Sequence, residues 1–271
     1  TPPTVTTKYA YVTASALNLR SAPNGNVLTM IPYGTKVQVI STSGNWSQVK
    51  YGNTTGWVSS DYLSETSGGG SNNSNGKTIV IDPGHGGADA GAVNGSYYEK
   101  NLTITFANKT KQYLENLGYK VYLTRTGDSS CLPVYVLTPD LQCRVDKAKT
   151  YNADAFVSIH INAALPGAIG TESYYNANSN YDGSINGQPA KSKVLAQTIH
   201  SHFQPVMGST NRGVQDSSLY VLRKNRVPAT LVEIGFISDY RDLNKMINPT
   251  YQSNISSAIA SGVKDYFSKS N

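Results

Sequence analysis

Residues 78–87, which read Thr78-Ile79-Val80-Ile81-Asp82-Pro83-Gly84-His85-Gly86-Gly87, decide the fold of the larger part of the chain. The run begins with β-branched residues, which are typical of a strand buried on both faces of a parallel sheet. It leads directly into a histidine flanked by glycines, which permit unusual backbone angles and keep bulk away from a bound group. Ligand sites in such sheets form beyond the carboxyl ends of strands, so the stretch predicts a strand that ends at a functional site containing His85. A simple turn histidine is the alternative.

Three further polar residues occupy comparable places in the sequence. Glu99 stands just before a predicted helix, where a helix N-terminal charge is the alternative role. His160 lies inside an apolar run, where a single histidine is more often a core residue than a ligand. Glu233 lies in another apolar run, where an ionised carboxylate requires a cation or a raised pKa. Two imidazoles and a carboxylate suit catalytic zinc, and a second carboxylate suits proton transfer, so the combination favours a metal site.

Strands and helices alternate in this part of the chain. The predicted strands span residues 78–82, 119–124, 155–161, 169–175 and 230–234. The predicted helices span residues 102–117, 139–151, 189–203, 239–247 and 251–267. This order predicts an α/β domain with a mostly parallel, twisted sheet and helices on both faces. The four polar residues can then meet at the carboxyl ends of the strands.

The remaining histidines and the two cysteines do not extend the predicted site. His200 and His202 are two residues apart on a predicted helix. They therefore point to different faces and cannot form the i, i+4 metal pair, and we interpret both as ordinary helix side chains. Cys131 and Cys143 are close enough in sequence to form a disulfide in an oxidising compartment, and two unpaired thiols are the alternative.

Composition describes a globular protein and excludes some classes of partner. The 271 residues are 38% hydrophobic and 15% charged. We expect no membrane span, because no apolar stretch approaches the roughly 20 residues that one needs. The net charge of +6 is carried by scattered basic residues, which favours a polyanionic cell surface over nucleic acid. The start, Thr1-Pro2-Pro3-Thr4, lacks a basic and apolar leader, so we expect an export signal to be removed or absent.

A Gly-, Ser- and Asn-rich stretch divides the chain at residues 65–76 and is typical of a flexible linker. Before it, short alternating runs separated by turn signals predict a small all-β barrel over residues 8–64. After it, residues 77–271 form the predicted α/β domain.

The N-terminal part resembles the bacterial Src-homology-3-like domain. The resemblance rests on Leu17-Asn18-Leu19-Arg20-Ser21-Ala22-Pro23, Gly34-Thr35-Lys36-Val37 and Gly56-Trp57-Val58. In that family the domain commonly binds cell-wall peptide or glycan, so the resemblance implies wall binding. Trp46, Tyr51, Trp57 and Tyr62 are candidate contacts, although tryptophans more often fill the core of so small a barrel.

The larger part resembles the zinc-dependent N-acetylmuramoyl-L-alanine amidases. The matching segments are residues 81–87, 99–101, 123–125, 158–163, 219–223 and 231–238, and Leu141, Arg144 and Ala148 match a helix pattern of the family. Residues 129–140 look longer than is usual in the family. Carried over position by position, the resemblance implies that His85, Glu99 and His160 are zinc ligands and that Glu233 is the catalytic glutamate.

The implied activity is zinc-dependent hydrolysis of the amide bond between N-acetylmuramic acid and L-alanine in peptidoglycan. Glu233 takes a proton from the attacking water and passes it to the departing nitrogen. We expect a monomer that is secreted or wall-associated and that contacts both glycan strand and stem peptide. Cell separation, spore processing and phage lysis all fit these residues.

Two other classes of function remain open at this point. One is a wall-binding protein whose amidase-like domain grips peptidoglycan without cleaving it. The other is a zinc peptidase or deacetylase acting on the same polymer, although the chain lacks the His-Glu-x-x-His arrangement of common zinc peptidases.

Some relatives are described as carrying an inhibitory helix after the third metal ligand. The corresponding residues 176–188 are rich in Asn, Ser and Gly and lack helical apolar spacing. The segment therefore predicts an enzyme that is active without a partner activator.

Overall fold

A computed structural model describes residues 8–14, 16–65, 76–165, 167–178 and 188–269. The chain separates into two compact units, Thr1–Asn73 and Ser74–Asn271. The predicted linker lies outside the described residues except for Glu65 and Gly76, and so do residues 179–187 of the segment 176–188, which was predicted to lack an inhibitory helix. The predicted linker and the domain boundaries around it therefore stay predictions, as does independence from an activator.

Strands build the described part of the N-terminal unit. They are β1 Lys8–Val12, β2 Ala16–Arg20, β3 Val27–Pro32, β4 Lys36–Ser43, β5 Trp46–Tyr51, β6 Thr54–Ser59 and β7 Leu63–Ser64, with a 3₁₀ turn at Ser60–Tyr62. The sheet runs in the order β3-β2-β6-β5-β4-β1-β7, with antiparallel neighbours. This agrees with the predicted small all-β domain.

The core of this unit differs from the expected one. It is a cluster of aliphatic side chains that includes Leu19, Ile31 and Val49. Trp46 and Trp57 are half-buried and do not belong to the cluster, so the expectation that they fill the core is wrong. Alternation along β5 explains the difference, because buried Val49 and half-buried Trp46 lie an odd number of residues apart and face opposite sides of the sheet.

The larger unit has an α/β architecture. Its described strands are β8 Thr78–Pro83, β9 Val93–Asn94, β10 Tyr97–Tyr98, β11 Lys120–Leu123, β12 Ala155–Asn162, β13 Thr171–Tyr175, β14 Asn211–Asp216 and β15 Ala229–Phe236. Its described helices are α1 Glu99–Asn116, α2 Leu137–Thr150, α3 Pro189–Met207, α4 Tyr220–Arg223, α5 Tyr240–Met246 and α6 Pro249–Lys269. None of the described helices combines the length and apolar character of a membrane span.

The main sheet of this unit is mostly parallel, as predicted. Its order is β11-β8-β12-β15-β13-β14. Strands β11, β8, β12 and β15 run parallel, β13 is antiparallel to β15, and β14 is parallel to β13. The carboxyl ends of β8, β12 and β15 therefore meet at one edge of the sheet.

Helices cover both faces of this sheet. Ile79 and Val157 belong to a core cluster shared with α1, α3 and α6, whereas Val80 and Phe156 belong to a second cluster shared with α2 and α4. Successive side chains of a strand point to opposite faces, so continuous apolar runs supply both cores.

Sequence patterns missed β14, the β9–β10 hairpin and the short α4. Strand β14 has a largely polar sequence, Asn-Arg-Gly-Val-Gln-Asp, and lies at the edge of the sheet with its residues exposed or half-buried. An edge strand buries few side chains. Its sequence therefore does not need the alternation of apolar and polar residues from which strands are predicted.

Candidate metal centre

The predicted site residues project from neighbouring elements at one edge of the main sheet. His85 follows β8, and His160 lies near the end of β12. Glu233 lies on β15 directly opposite His160 in the parallel register. Glu99 is the first residue of α1. The fold thus gathers residues that are up to 148 positions apart in sequence, from 85 to 233.

The side chains of His160, Glu99 and His85 approach the backbone near His85 so closely that two positions have room only for glycine. His85 adopts a left-handed backbone conformation, with φ of 62°. A Cβ atom on Gly84 would lie 2.3 Å from Cε1 of His160. A Cβ atom on Gly91 would lie 2.6 Å from Oε2 of Glu99. Glycine at both positions is therefore a steric requirement of the arrangement around the two imidazoles.

Three donor groups converge in this space. Nε2 of His85 lies 3.1 Å from Oε2 of Glu99, and Nδ1 of His160 lies 3.0 Å from Oε1. One ligand atom from each of the three residues lies within 4.8 Å of the others. Two imidazole nitrogens and a carboxylate oxygen suit a divalent transition metal, so the residues fit the ion that the sequence predicts.

The Glu99 carboxylate is held in its ionised form. Burial by itself would raise its pKa, but hydrogen bonds and charge from His160 and His85 outweigh burial and hold the pKa well below its ordinary value. The backbone N–H groups of Ile161 and Ala92 also donate to its two oxygens, each at 2.9 Å. The carboxylate is thus charged and oriented, as a metal ligand must be.

Glu233 is a carboxyl group that lies beside this cluster without a cationic partner among the described residues. Its Oε2 atom is buried and has no hydrogen-bond partner within the described part of the chain. Burial, followed by the charges of Glu99 and Glu172, raises the pKa of Glu233 well above its ordinary value. A cation in the adjacent space would lower that pKa again, so the environment of Glu233 is compatible with a metal ion bound nearby.

Asp89 orients the first imidazole. Its Oδ2 atom lies 2.9 Å from Nδ1 of His85, and its Oδ1 atom accepts from the N–H of Gly91 at 3.1 Å. With Nδ1 carrying the proton, Nε2 faces Glu99 with its lone pair free for a metal. Asp89 therefore sets the orientation of the His85 ring.

Two buried arginines hold the backbone of the turn that carries His85. Arg125 donates to the carbonyl oxygens of Pro83 and Gly84, each at 3.0 Å. Arg144 donates to the carbonyl oxygens of Pro83 at 2.8 Å and His85 at 2.7 Å. Sequence reasoning noted both residues only as parts of matching segments and missed this role. A buried arginine gives no sequence signal of its own, because its partners are distant carbonyl groups.

Arg144 also forms a buried ion pair with two carboxylates, and its removal should destabilise the fold. Replacing it with methionine is expected to lower the free energy of unfolding by about 3–5 kcal/mol, because buried Asp82 and Asp140 lose their cation. Burial raises the pKa of Asp82, but Arg144 and hydrogen bonds from Thr124 and Ser158 outweigh it and hold the pKa below its ordinary value. Ionised Asp82 therefore stabilises the fold above its unfolded pKa of about 3.9, and this contribution disappears as pH falls through the lower folded value.

Urea unfolding at pH 7 and at pH 3 measures both effects. The difference between wild type and Arg144→Met should be large at pH 7 and smaller at pH 3. Arg226→Met, which changes an exposed arginine, is the matched control and should unfold like wild type. Equal stability of Arg144→Met and wild type at pH 7 would contradict a structural role for the pair.

A second polar cluster lies beside Glu233. Buried Glu172 is opposite Glu233 in the strand register and is paired with Arg212. It also accepts hydrogen bonds from Tyr174 and from the Asn162 amide at 3.0 Å. Glu172 thus has a cationic partner and hydrogen-bond donors, whereas Oε2 of Glu233 has no partner among the described residues. The sequence did not single out Glu172, because nothing in it linked the predicted strand at residues 169–175 to the site.

An apolar pocket of about 160 Å³ opens beside the two histidines. Its lining includes His85, His160, Tyr135, Leu219 and Leu231. A larger cavity of about 510 Å³, lined by Lys149 and Arg226 among others, includes none of the predicted site residues. The smaller pocket is the one lined by both clustered histidines, so cavity volume does not indicate where the predicted site residues lie.

The other histidines and the cysteines have structural partners. His200 is hydrogen-bonded to Ser173 and Asn211, and His202 is hydrogen-bonded to Asp265. Both therefore have the ordinary roles that the sequence favoured. Cys131 and Cys143 form a disulfide, which decides between the two alternatives that the sequence left open.

Comparison with known proteins gives matches for both units. A family model described as N-acetylmuramoyl-L-alanine amidase matches residues 79–265, and a bacterial SH3 domain model matches residues 15–64. The uncharacterized protein YqiI of Bacillus subtilis is 35% identical over 192 residues, which are 71% of this chain and 85% of that relative. The probable cell wall amidase LytH of Staphylococcus epidermidis is 33% identical over 261 residues, which are 92% of this chain and 81% of that relative. The crystal structure of an N-acetylmuramoyl-L-alanine amidase from Clostridium difficile aligns with a TM-score of 0.62 and 34% identity, covering 73% of this chain and 100% of that chain.

Proposed function

Because the chain belongs to the N-acetylmuramoyl-L-alanine amidase family, we propose that it is a zinc-dependent enzyme that cleaves peptidoglycan between N-acetylmuramic acid and L-alanine. The observation that supports zinc is the convergence of His85, Glu99 and His160 within 4.8 Å. Two imidazoles and one carboxylate are a common ligand set of hydrolytic zinc sites and leave a position open for chemistry.

We assign His85, Glu99 and His160 as the residues that hold the ion. Zinc bound there would polarise the amide carbonyl and make water a nucleophile at neutral pH. Glu99 supplies the one negative charge of the set, and Asp89 keeps Nδ1 of His85 occupied so that Nε2 remains available. The assignment uses side chains whose orientation is already set by hydrogen bonds.

We assign proton transfer to Glu233. Its carboxylate lies on the strand next to His160, and its Oε2 atom has no competing hydrogen bond among the described residues. It accepts a proton from the attacking water and delivers that proton to the departing alanine nitrogen. This separates the glycan lactyl carboxylate from an L-alanine amine, which balances the hydrolysis.

The N-terminal unit contains a bacterial SH3 domain, for which we propose a wall-binding role. Tyr62 is 49% exposed, and Trp46 and Trp57 are half-buried, so their rings remain accessible for contact with glycan or peptide. The secreted or wall-associated location follows from the proposed substrate. Sedimentation of the full chain and of residues 77–271 with insoluble cell walls tests this role, and equal binding of the two would contradict it.

Mass analysis of digested peptidoglycan tests the proposed reaction. The expected products are glycan strands with free lactyl carboxylates and intact stem peptides with new L-alanine amino termini. A peptidase would instead cut within the stem, a deacetylase would release acetate, and a wall-binding protein would release nothing. Any of those three results would contradict the proposed bond specificity.

A further inference from the structure

The segment 128–136, which we call the tethered loop, lies between β11 and α2 and is fastened by a disulfide. Cys131 in the loop is bonded to Cys143 on α2, 12 positions further along the chain. Several loop side chains are exposed, including Val134 at 74% exposure. Apolar burial therefore contributes little to the order of the loop, and the cross-link restricts its conformations.

The tethered loop packs directly on the turn that carries His85. The side chain of Asp128 accepts from the N–H of Gly87 at 2.8 Å. A Cβ atom on Gly86 would lie 2.2 Å from the carbonyl oxygen of Ser129. The two backbones thus approach as closely as glycine permits, and the position of one depends on the position of the other.

One side chain of the loop reaches the polar partners of the metal site. The hydroxyl of Tyr135 donates to Oδ2 of Asp89 at 3.1 Å. The same Oδ2 atom lies 2.9 Å from Nδ1 of His85. Tyr135 also lines the apolar pocket beside the two histidines. A continuous hydrogen-bonded path therefore runs from the disulfide-bonded loop to the first imidazole.

We propose that Tyr135 is a positioning residue for the metal centre and that the Cys131–Cys143 disulfide holds it in place. The inference rests on the proposed zinc amidase function. Donation from Tyr135 fixes the carboxylate of Asp89, which in turn fixes the tautomer and ring orientation of His85. Without the hydroxyl, the Asp89 carboxylate keeps only its bonds with His85 and the N–H of Gly91, so it is held less firmly and the His85 ring loses part of its preorganisation toward the ion.

Zinc binding by four proteins tests the inference: wild type, Tyr135→Phe, the double variant Cys131→Ser with Cys143→Ser, and the triple variant. The zinc dissociation constant is measured by competition with a chromophoric chelator, and the visible spectrum of the cobalt-substituted forms reports ligand geometry. Tyr135→Phe should raise the dissociation constant about tenfold, the lower end of the range for outer-shell partners of a metal ligand. Its cobalt spectrum should also differ from that of wild type.

The disulfide variant should weaken zinc binding in the same direction, and the triple variant should bind zinc no more weakly than Tyr135→Phe. Such non-additivity is expected because the cross-link is inferred to act through the tyrosine. Tyr240→Phe, which changes a tyrosine with 70% exposure on α5, is the matched control and should bind zinc like wild type.

Wild-type zinc affinity and an unchanged cobalt spectrum in Tyr135→Phe would overturn the inference. If the effects of Tyr135→Phe and of the double cysteine substitution on zinc affinity add fully in the triple variant, the role proposed for the disulfide is wrong. Should the cysteine variants fail to fold, Tyr135→Phe by itself decides the positioning role. If wild type releases no L-alanine amino termini, the proposed function fails; if it does release them and Tyr135→Phe binds zinc normally, only the positioning role fails.

Discussion

The Glu233→Gln variant is expected to bind one zinc ion like wild type and to lose about 10²- to 10⁴-fold in turnover, the usual contribution of a general acid–base group. Glutamine keeps the size of the side chain but cannot accept and return a proton. Glu233 is also absent from the group of donor atoms within 4.8 Å of one another, so its loss should leave the ligand set complete. The measurements are zinc content after dialysis and the rate of L-alanine amino-terminus release from peptidoglycan.

The same substitution should stabilise the folded protein in the metal-free state. Burial and neighbouring charges disfavour the ionised form of Glu233, and glutamine removes the charge. Glu115→Gln, on the exposed surface of α1, is the matched control; it should leave the rate unchanged and lower stability by no more than about 0.5 kcal/mol, the usual contribution of an exposed pair such as the one with Lys111. Undiminished turnover of Glu233→Gln would exclude the proton-transfer role, and loss of zinc would reassign the residue as a ligand.

The His160→Ala variant is expected to lose both zinc and activity. It removes one of three donors, so its effect on zinc affinity should exceed the roughly 10- to 100-fold loss typical of outer-shell changes. Treatment of wild type with a chelator should give the same inactive state, and added zinc should restore wild type but not the variant. Zinc content and peptidoglycan hydrolysis measured on the same samples check this result.

His202→Gln provides the matched control for a histidine substitution. His202 is hydrogen-bonded to Asp265 on α6 and takes no part in the donor cluster. It should keep stoichiometric zinc and full turnover. Retention of zinc by His160→Ala, or full activity of chelator-treated wild type, would contradict a zinc-dependent mechanism at this site.

Glu233→Gln, His160→Ala and Arg144→Met separate three tasks within a small volume. Glu233 is proposed to move a proton, the three donors are proposed to hold the ion, and Arg144 holds the carbonyl groups of the turn. Each substitution should therefore have its main effect on a different measured quantity: turnover, zinc content, or stability against urea.

The strands of the larger domain were predictable because their burial leaves a strong pattern. Residues 155–161 were predicted as a strand, and β12 spans Ala155–Asn162. Both faces of this strand pack against cores, so its sequence is apolar almost throughout. Edge strand β14 has no such requirement, and its polar sequence gave no prediction.

The sequence by itself indicated the chemistry of the candidate site, which consists of two imidazoles and two carboxylates. His85 follows an apolar run and Glu99 precedes a predicted helix. His160 and Glu233 stand out because an ionisable group in an apolar strand has an energetic cost that only a partner offsets. Their roles as ligands and acid–base group remain predictions for the variants above.

Only the tertiary structure shows which other groups hold those residues in place. The bonds from Arg144 to the His85 carbonyl and from Tyr135 to Asp89 join segments whose spacing carries no periodic signal. Whether Cys131 and Cys143 pair depends on the distance between them in the fold, and the two Cα atoms lie 6.0 Å apart. Local sequence reports the propensity and polarity of a residue, whereas hydrogen bonds and cross-links depend on distances that exist only once the chain has packed.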